Sequence, residues 1–371
     1  MANSCVICNF GNLENTHFSI INMKVPKSIN VFRRKIMHSI TKNIGSSHSE
    51  PKYDANKKIE IKRVLIIRPN HRLGNQLLLT PIVQEVINTF PDCKIDLFVK
   101  GGVAFPVFEN YKQVNKIIQL PKKPFNHLFK YAKCWISIKR KHYDMVINGD
   151  KNSSSGRLLT QISNATYKVF GDINEEIQSK YDDYEHISKY PVYNLRHYLS
   201  KVGFQENTSE VPTLNIMLSD SEITEGEKLL KHVTTDDKKT ICIYTNATGD
   251  KCYSEDWWNA FYTRLKNEYA NNYNIIEMLP IENISKINFQ APNFYSKDIR
   301  EMGAIIKNTT IFIAADNGVM HLASASLTPT VGFFSVTNEK IYEPYGNGSL
   351  ALNTNSTNIE DWFKAIGNIL N

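Results

Sequence analysis

The residues best suited to bind an anion lie between Ile311 and Ala325. The apolar run Ile311 to Ala314 reads as a strand buried on both faces, and a tight Asp316-Asn317-Gly318 turn leads from it directly into a helix. The first backbone N–H groups of a helix lack partners and carry the positive end of its dipole, so this turn is a seat for a phosphate or diphosphate. Asp316 is placed to cap the helix, and His321 lies one turn in, where it could hydrogen-bond a phosphate. The bland alternative is that Asp316 is only a cap and His321 only a packed helix residue.

Alternating strands and helices must position that turn. Arg63 to Arg68 is a short β-branched run, followed by a loop from Pro69 to Gly74 and a helical pattern from Gln76 to Phe90. Strands are expected at Ile95–Val99, Lys116–Leu120 and Asp144–Asn148, with a helix or turn from Ala104 to Tyr111. The pattern restarts after Pro212: strands at Thr240–Tyr244, Asn274–Leu279, Ile311–Ala314 and Thr330–Phe334, and helices at Glu255–Tyr269, Asp298–Lys307 and Gly318–Ser326. Such alternation gives parallel sheets covered by helices. The fold class is therefore α/β, with two Rossmann-like domains, residues 61–212 and 213–371, facing each other across a cleft. Ligands of these sheets bind outside the carboxyl ends of the strands, which places the site between the halves.

Residues 1–60 read as an extension. Lys24 to Ile44 interleaves Ile29, Val31, Phe32, Ile36, Met37 and Ile40 with Arg33, Arg34, Lys35 and Lys42, the pattern of a basic amphipathic helix; Gly45 to Lys58 reads as a linker.

The 371 residues are 42% hydrophobic and 22% charged, enough apolar material for two cores. The absence of a long apolar run argues against a transmembrane helix, and the start lacks the pattern of a signal peptide. Six cysteines, mostly scattered through apolar runs, fit reduced thiols in a cytoplasm; Cys5 and Cys8 form a lone C-x-x-C, too few ligands for a zinc site. The formal charge is +7, and no acidic residue occurs from Lys112 to His142. That strip, with Lys122, Lys123 and Arg140, suits phosphates on a lipid surface or a charged glycan. No nucleic-acid module accompanies it, so nucleic acid is not an expected partner.

The D-x-G-x-x-H-L-A pattern from Asp316 to Ala323 resembles the nucleotide-diphosphate loop of glycosyltransferase family 9, the ADP-heptose:lipopolysaccharide heptosyltransferases. Pro329 to Phe334, Pro344-Tyr345-Gly346, Ser296 to Lys307, Arg63 to Gly74, Thr80-Pro81 and Phe90-Pro91-Asp92 are similar to that family as well, so the resemblance runs from about residue 62 to 350. It implies the GT-B architecture and an inverting, metal-independent sugar transfer. The substrate would be a nucleotide-diphosphate sugar such as ADP-heptose, with no separate cofactor. The carboxyl-terminal half would hold this donor, and the amino-terminal half an anionic glycan or glycolipid. Individually, Lys251 in the loop from Thr245 resembles the family's phosphate-binding lysine, able to neutralise the leaving diphosphate. Glu282 resembles the acidic residue that holds the donor ribose, with Glu277 as competitor. Gly74 would let backbone approach the donor, and Thr245, Asp316, Asn317, Gly318 and His321 complete the expected donor set.

One position departs from the family. An aspartate that serves as general base commonly follows the opening glycine, and Asn75 stands there instead. An amide cannot take a proton from an acceptor hydroxyl, so the role passes elsewhere. Asp150, just past the Asp144–Asn148 strand, and His71, in the opening loop, are the candidates; Asn75 could still orient the acceptor. The other readings are a transferase using a UDP- or GDP-sugar or a protein acceptor, a sugar-nucleotide epimerase, and a binding protein that has lost turnover. The implied location is cytoplasmic, with peripheral contact to the inner face of the inner membrane.

Overall fold

The computed structural model describes residues 59–121, 128–151, 153–234 and 236–370, together with position 39. Lys122, Lys123, Cys5, Cys8 and, position 39 apart, the expected basic helix and linker lie outside the described residues.

The first part of the chain runs β1 (Arg63–Arg68), α1 (Leu73–Leu77), α2 (Thr80–Thr89), β2 (Lys94–Lys100), α3 (Ala104–Phe108) and β3 (Val114–Leu120). It continues through α4 (Leu128–Arg140), β4 (Tyr143–Asn148), α5 (Ser154–Ile162), β5 (Ala165–Val169), α6 (Glu175–Lys180) and α7 (Tyr190–Lys201). Its strands are all parallel, in the order β3-β2-β1-β4-β5.

The second part runs α8 (Asp220–Val233), β6 (Lys239–Tyr244), α9 (Glu255–Tyr269), β7 (Tyr273–Leu279), β8 (Asn293–Tyr295) and α10 (Ile299–Lys307). It ends with β9 (Ile311–Ala315), α11 (Gly318–Ala325), β10 (Thr330–Phe334), α12 (Glu339–Tyr342), β11 (Leu350–Asn353) and α13 (Ile359–Leu370). Its sheet, also parallel, has the order β11-β10-β9-β6-β7-β8.

Both orders are Rossmann-like. Each reverses at one point, between β1 and β4 in the first sheet and between β6 and β9 in the second, and a ligand crevice opens at such a point. Central strands are buried from end to end, as in Ile311 to Ala315 and Thr330 to Phe334, which is why they read as unbroken apolar runs. Each fully buried Val, Leu, Ile or Phe contributes roughly 1.5–3 kcal/mol.

The helix expected from Gln76 to Phe90 is two helices. Pro81 lacks an N–H and cannot continue a helix from Leu77; it sits in the first turn of α2, where no bond is lost, and the Thr80 hydroxyl closes the break on the Leu77 carbonyl at 2.7 Å. This break lets α1 project from the end of β1 toward the second sheet.

Residues 202–219, free of helix and strand, carry the chain between the sheets. Arg300, buried in α10, holds this crossing. Its Nη1 donates to the carbonyls of Pro106 (2.7 Å) and Ile216 (3.1 Å), its Nη2 donates to the Met217 carbonyl (3.1 Å), and it pairs with Glu222. Within the first part, Arg196 on α7 forms a buried two-bond pair with Glu85 on α2, both contacts 2.8 Å.

Candidate active site

The loops that follow β1, β4, β6 and β9 meet at the two reversal points. After β9, Asp316 is buried, and its Oδ2 accepts from Lys251 Nζ at 2.5 Å and from the Thr337 hydroxyl. Lys251 also sits 5.7 Å above the Tyr342 ring. The pair fixes the lysine at the start of α11.

The helix cap is Asn317, not Asp316 as the sequence suggested. Asn317 Oδ1 accepts from the N–H groups of Val319 (2.7 Å) and Met320 (2.9 Å), while its Nδ2 donates to the carbonyls of Asn246 (3.1 Å) and Ala315 (2.8 Å). The reason is the backbone: Asn317 is the last extended residue before the helix, and Asp316 lies one residue further back, in the bend after β9. Two of the helix's first N–H groups are thus occupied. Positive charge for an anion must come from Lys251 and the helix dipole more than from bare amides.

His321 is buried one turn into α11, and its Nδ1 has no partner among the described residues. Burial pushes its pKa down to about 4, with the positive charges of Lys251 and Arg68 acting in the same sense against Asp316. At neutral pH it is an uncharged imidazole that offers one donor and one acceptor.

Gly74 is one of the places where the first half touches the second. A side chain there would put its Cβ 2.8 Å from His321 Cδ2 and 3.4 Å from Gly318 Cα, and one on Gly318 would meet the Gly74 nitrogen at 3.3 Å. The missing side chains let α1 and α11 touch, with Asn75 the next residue of α1.

In the loop after β6 the Thr245 hydroxyl is turned inward. It donates to Glu277 Oε1 at 2.5 Å and accepts from the Lys286 N–H at 3.0 Å, while Ser285 donates to Glu277 Oε2 at 2.6 Å. The Thr245 side chain therefore braces its loop and is not available to a donor, contrary to the sequence expectation. Glu277 is fully buried, and burial raises its pKa against the two hydroxyl donors. It is spent on this network and cannot reach a ribose. Glu282, exposed past the end of β7, is the carboxylate of the two that a ligand can reach, and its charge acts on Tyr244.

On the acceptor side, Asp150 is half-buried in the turn after β4. The carbonyl of Gly149 accepts from Arg68 Nη1 (3.1 Å) and from the Tyr190 hydroxyl (3.3 Å), and the Lys151 N–H donates to that hydroxyl (2.8 Å). Asn75 Oδ1 accepts from Arg68 Nη2 at 3.0 Å. His71 is exposed in the loop after β1. Arg140 closes α4, which runs back along the sheet and ends beside the start of β4. It lies at the amino edge of the sheet, and the 13-residue helix separates it from the carboxyl edge by about 20 Å. Arg68, Thr337, Tyr190 and Tyr342 were not singled out from sequence. Arg68 carried a signal, a charged residue at the end of an otherwise apolar strand facing a loop.

A profile of glycosyltransferase family 9 (heptosyltransferase) matches residues 131–362, more than half of the chain. The chain belongs to this family. It is a glycosyltransferase. The lipopolysaccharide heptosyltransferase 3 of Escherichia coli is 20% identical over 304 residues, covering 75% of this chain and 85% of that protein. A glycosyl transferase family 9 protein from Veillonella parvula superposes with a TM-score of 0.63 at 15% identity, over 85% of this chain and 90% of the other. The E. coli heptosyltransferase WaaC, solved with ADP, gives 0.58 at 14% identity, over 83% and 99%. At such identities the structural likeness speaks for the fold, which is GT-B with its two Rossmann-like halves.

Proposed function

We propose that this glycosyltransferase moves a heptose from ADP-heptose onto a lipopolysaccharide-type acceptor with inversion. The observation that carries the donor site is the convergence of Lys251, Asp316 and His321 at the start of α11 against Gly74 and Asn75. Lys251 and the α11 dipole supply positive charge for the leaving ADP, so the protein itself performs the electrophilic work. Glu282 is the carboxylate for the ribose, and Asp150 is the base that takes the acceptor proton. The ADP bound to WaaC and the heptosyltransferase relatives support this donor over a UDP- or GDP-sugar.

The transfer is tested by incubating the full chain with ADP-heptose and a heptose-deficient lipopolysaccharide core and weighing the product. A mass gain of one heptose, lost in Asp150→Asn, is expected. No gain with ADP-heptose, but one with a UDP- or GDP-sugar, would replace the donor. Activity only in Asn75→Asp would favour the reading of a chain that binds donor without turning it over.

The working place in this reading is the cytoplasmic face of the inner membrane. No helix among the described residues is long and apolar enough to cross a membrane. In α4, Phe129 (92% exposed) and Ile136 (49%) share the surface with the exposed cations Lys133, Lys139 and Arg140. Apolar and cationic side chains on one helix suit an anionic lipid surface. Sedimentation with anionic but not neutral vesicles at low salt, weakened in Phe129→Ser/Ile136→Ser, is expected; indifference to both vesicle types contradicts the membrane contact.

A further inference from the structure

Arg68 is wholly buried at the carboxyl end of β1, yet among the described residues no carboxylate forms an ion pair with it. Its Nη1 is bonded to a carbonyl, its Nη2 to an amide oxygen, and its Nε is buried without a partner. A buried cation held only by neutral acceptors is costly, and the cost falls when an anion binds nearby. The positive charge reaches His321, beside Asp316 and Lys251, so it belongs to the field of the donor site.

The same contact decides which way the Asn75 amide lies. A guanidinium only donates, so the Asn75 atom facing Nη2 must be its oxygen, and the NH2 group is turned away from Arg68. Asn75 follows Gly74, whose Cα packs against His321 and Gly318 at the start of α11. The place expected to hold a proton acceptor thus holds an oriented hydrogen-bond donor, next in sequence to the glycine that meets α11. Moreover, the guanidinium holds the Gly149–Asp150 turn by its other nitrogen.

We propose that Arg68 is a positioning residue that makes Asn75 a hydrogen-bond donor to the diphosphate of the bound nucleotide sugar. The first half then contributes to leaving-group stabilisation, and the base function falls to the turn that Arg68 also anchors. This rests on the donor site described above. A chain with aspartate at position 75 would place a carboxylate beside the diphosphate; asparagine removes that repulsion.

The test is titration calorimetry on the full chain at pH 7, using whichever of ADP, UDP, GDP and CDP binds wild type most tightly. Asn75→Ala should weaken binding roughly tenfold, the worth of one hydrogen bond to a charged group, and Asn75→Asp should weaken it further. Arg68→Met, which also removes a positive charge from the field of the site, should weaken binding at least as much as Asn75→Ala, and the double variant should lose clearly less than the sum of the two single losses, because Arg68 acts in part through Asn75. Arg68→Lys, which keeps a donor against the amide oxygen, should restore affinity to within a few-fold. Additive losses, no rescue by lysine, or an Asn75→Asp variant that binds like wild type would overturn the proposal. If Arg68→Met does not fold, the two Asn75 variants and Arg68→Lys still decide it. Failure of wild type to bind any of the four nucleotides would instead sink the donor site itself.

Discussion

Replacing Lys251 with alanine separates two effects that the wild-type chain holds together. Lys251 is the only ammonium bonded to Asp316 among the described residues, at 2.5 Å, and the Asp316 side chain is 5% exposed. Without Lys251, Asp316 keeps the Thr337 hydroxyl and loses its charged partner. Leaving a buried acceptor short of its partner costs about 1–3 kcal/mol, and in a domain of 150–250 residues each kcal/mol is worth about 2–4 °C in melting temperature. The same substitution removes a cation from the diphosphate, a charge-assisted contact of about 1.5–3 kcal/mol, or roughly ten- to hundredfold in Kd. Adding Asp316→Asn separates the two. The double variant has no orphaned carboxylate, so most of the lost stability should return, while nucleotide affinity stays low because the cation is still missing. Differential scanning fluorimetry and titration calorimetry on the two single variants and the double read both quantities. Recovery of affinity together with stability would refute the reasoning, since Lys251 would then act only by supporting the fold.

Acid should destabilise the protein through His321 and His186. Burial lowers His321 to about 4 and His186 to about 3, both below the unfolded value near 6.5. The unfolded chain then binds more protons between the folded and unfolded pKa values, so stability falls as pH drops from roughly 6.5 to about 4 through both groups and on to about 3 through His186, by on the order of a few kcal/mol for each group. Denaturation midpoints measured against pH should be flatter in His321→Gln; an unchanged slope contradicts the buried neutral imidazole. Gly74→Ala should weaken nucleotide binding in calorimetry and cost about 1–3 kcal/mol, because the new methyl meets the His321 ring at 2.8 Å. Wild-type affinity in that variant would mean α1 and α11 need not touch.

The strands were legible because parallel strands buried on both faces read as unbroken apolar runs, as in Arg63 to Arg68 and Ile311 to Ala314. The turn at Asp316 was legible as a place, since a strand ending in a capping residue before a helix has one geometry. Which of two adjacent capping residues does the work was not, because it depends on where the backbone leaves the extended region, and that is Asn317. The inward turn of Thr245 depends on Glu277 and Ser285, whose distance along the chain conceals the contact. The edge of the sheet on which Arg140 lies was legible from the order of elements. A helix between two parallel strands returns to the edge where the next strand begins, so a residue just before β4 cannot share an edge with Asp150 just after it.

The central claim is that the start of α11 with Lys251 holds a nucleoside diphosphate, and thermal unfolding of the wild-type chain with ADP, UDP, GDP and CDP tests it most directly. A ligand at about 100 times its Kd adds about 2.7 kcal/mol to the folded state, well within reach of the method. The account predicts that ADP raises the melting temperature most. If none of the four raises it, the donor site is wrong.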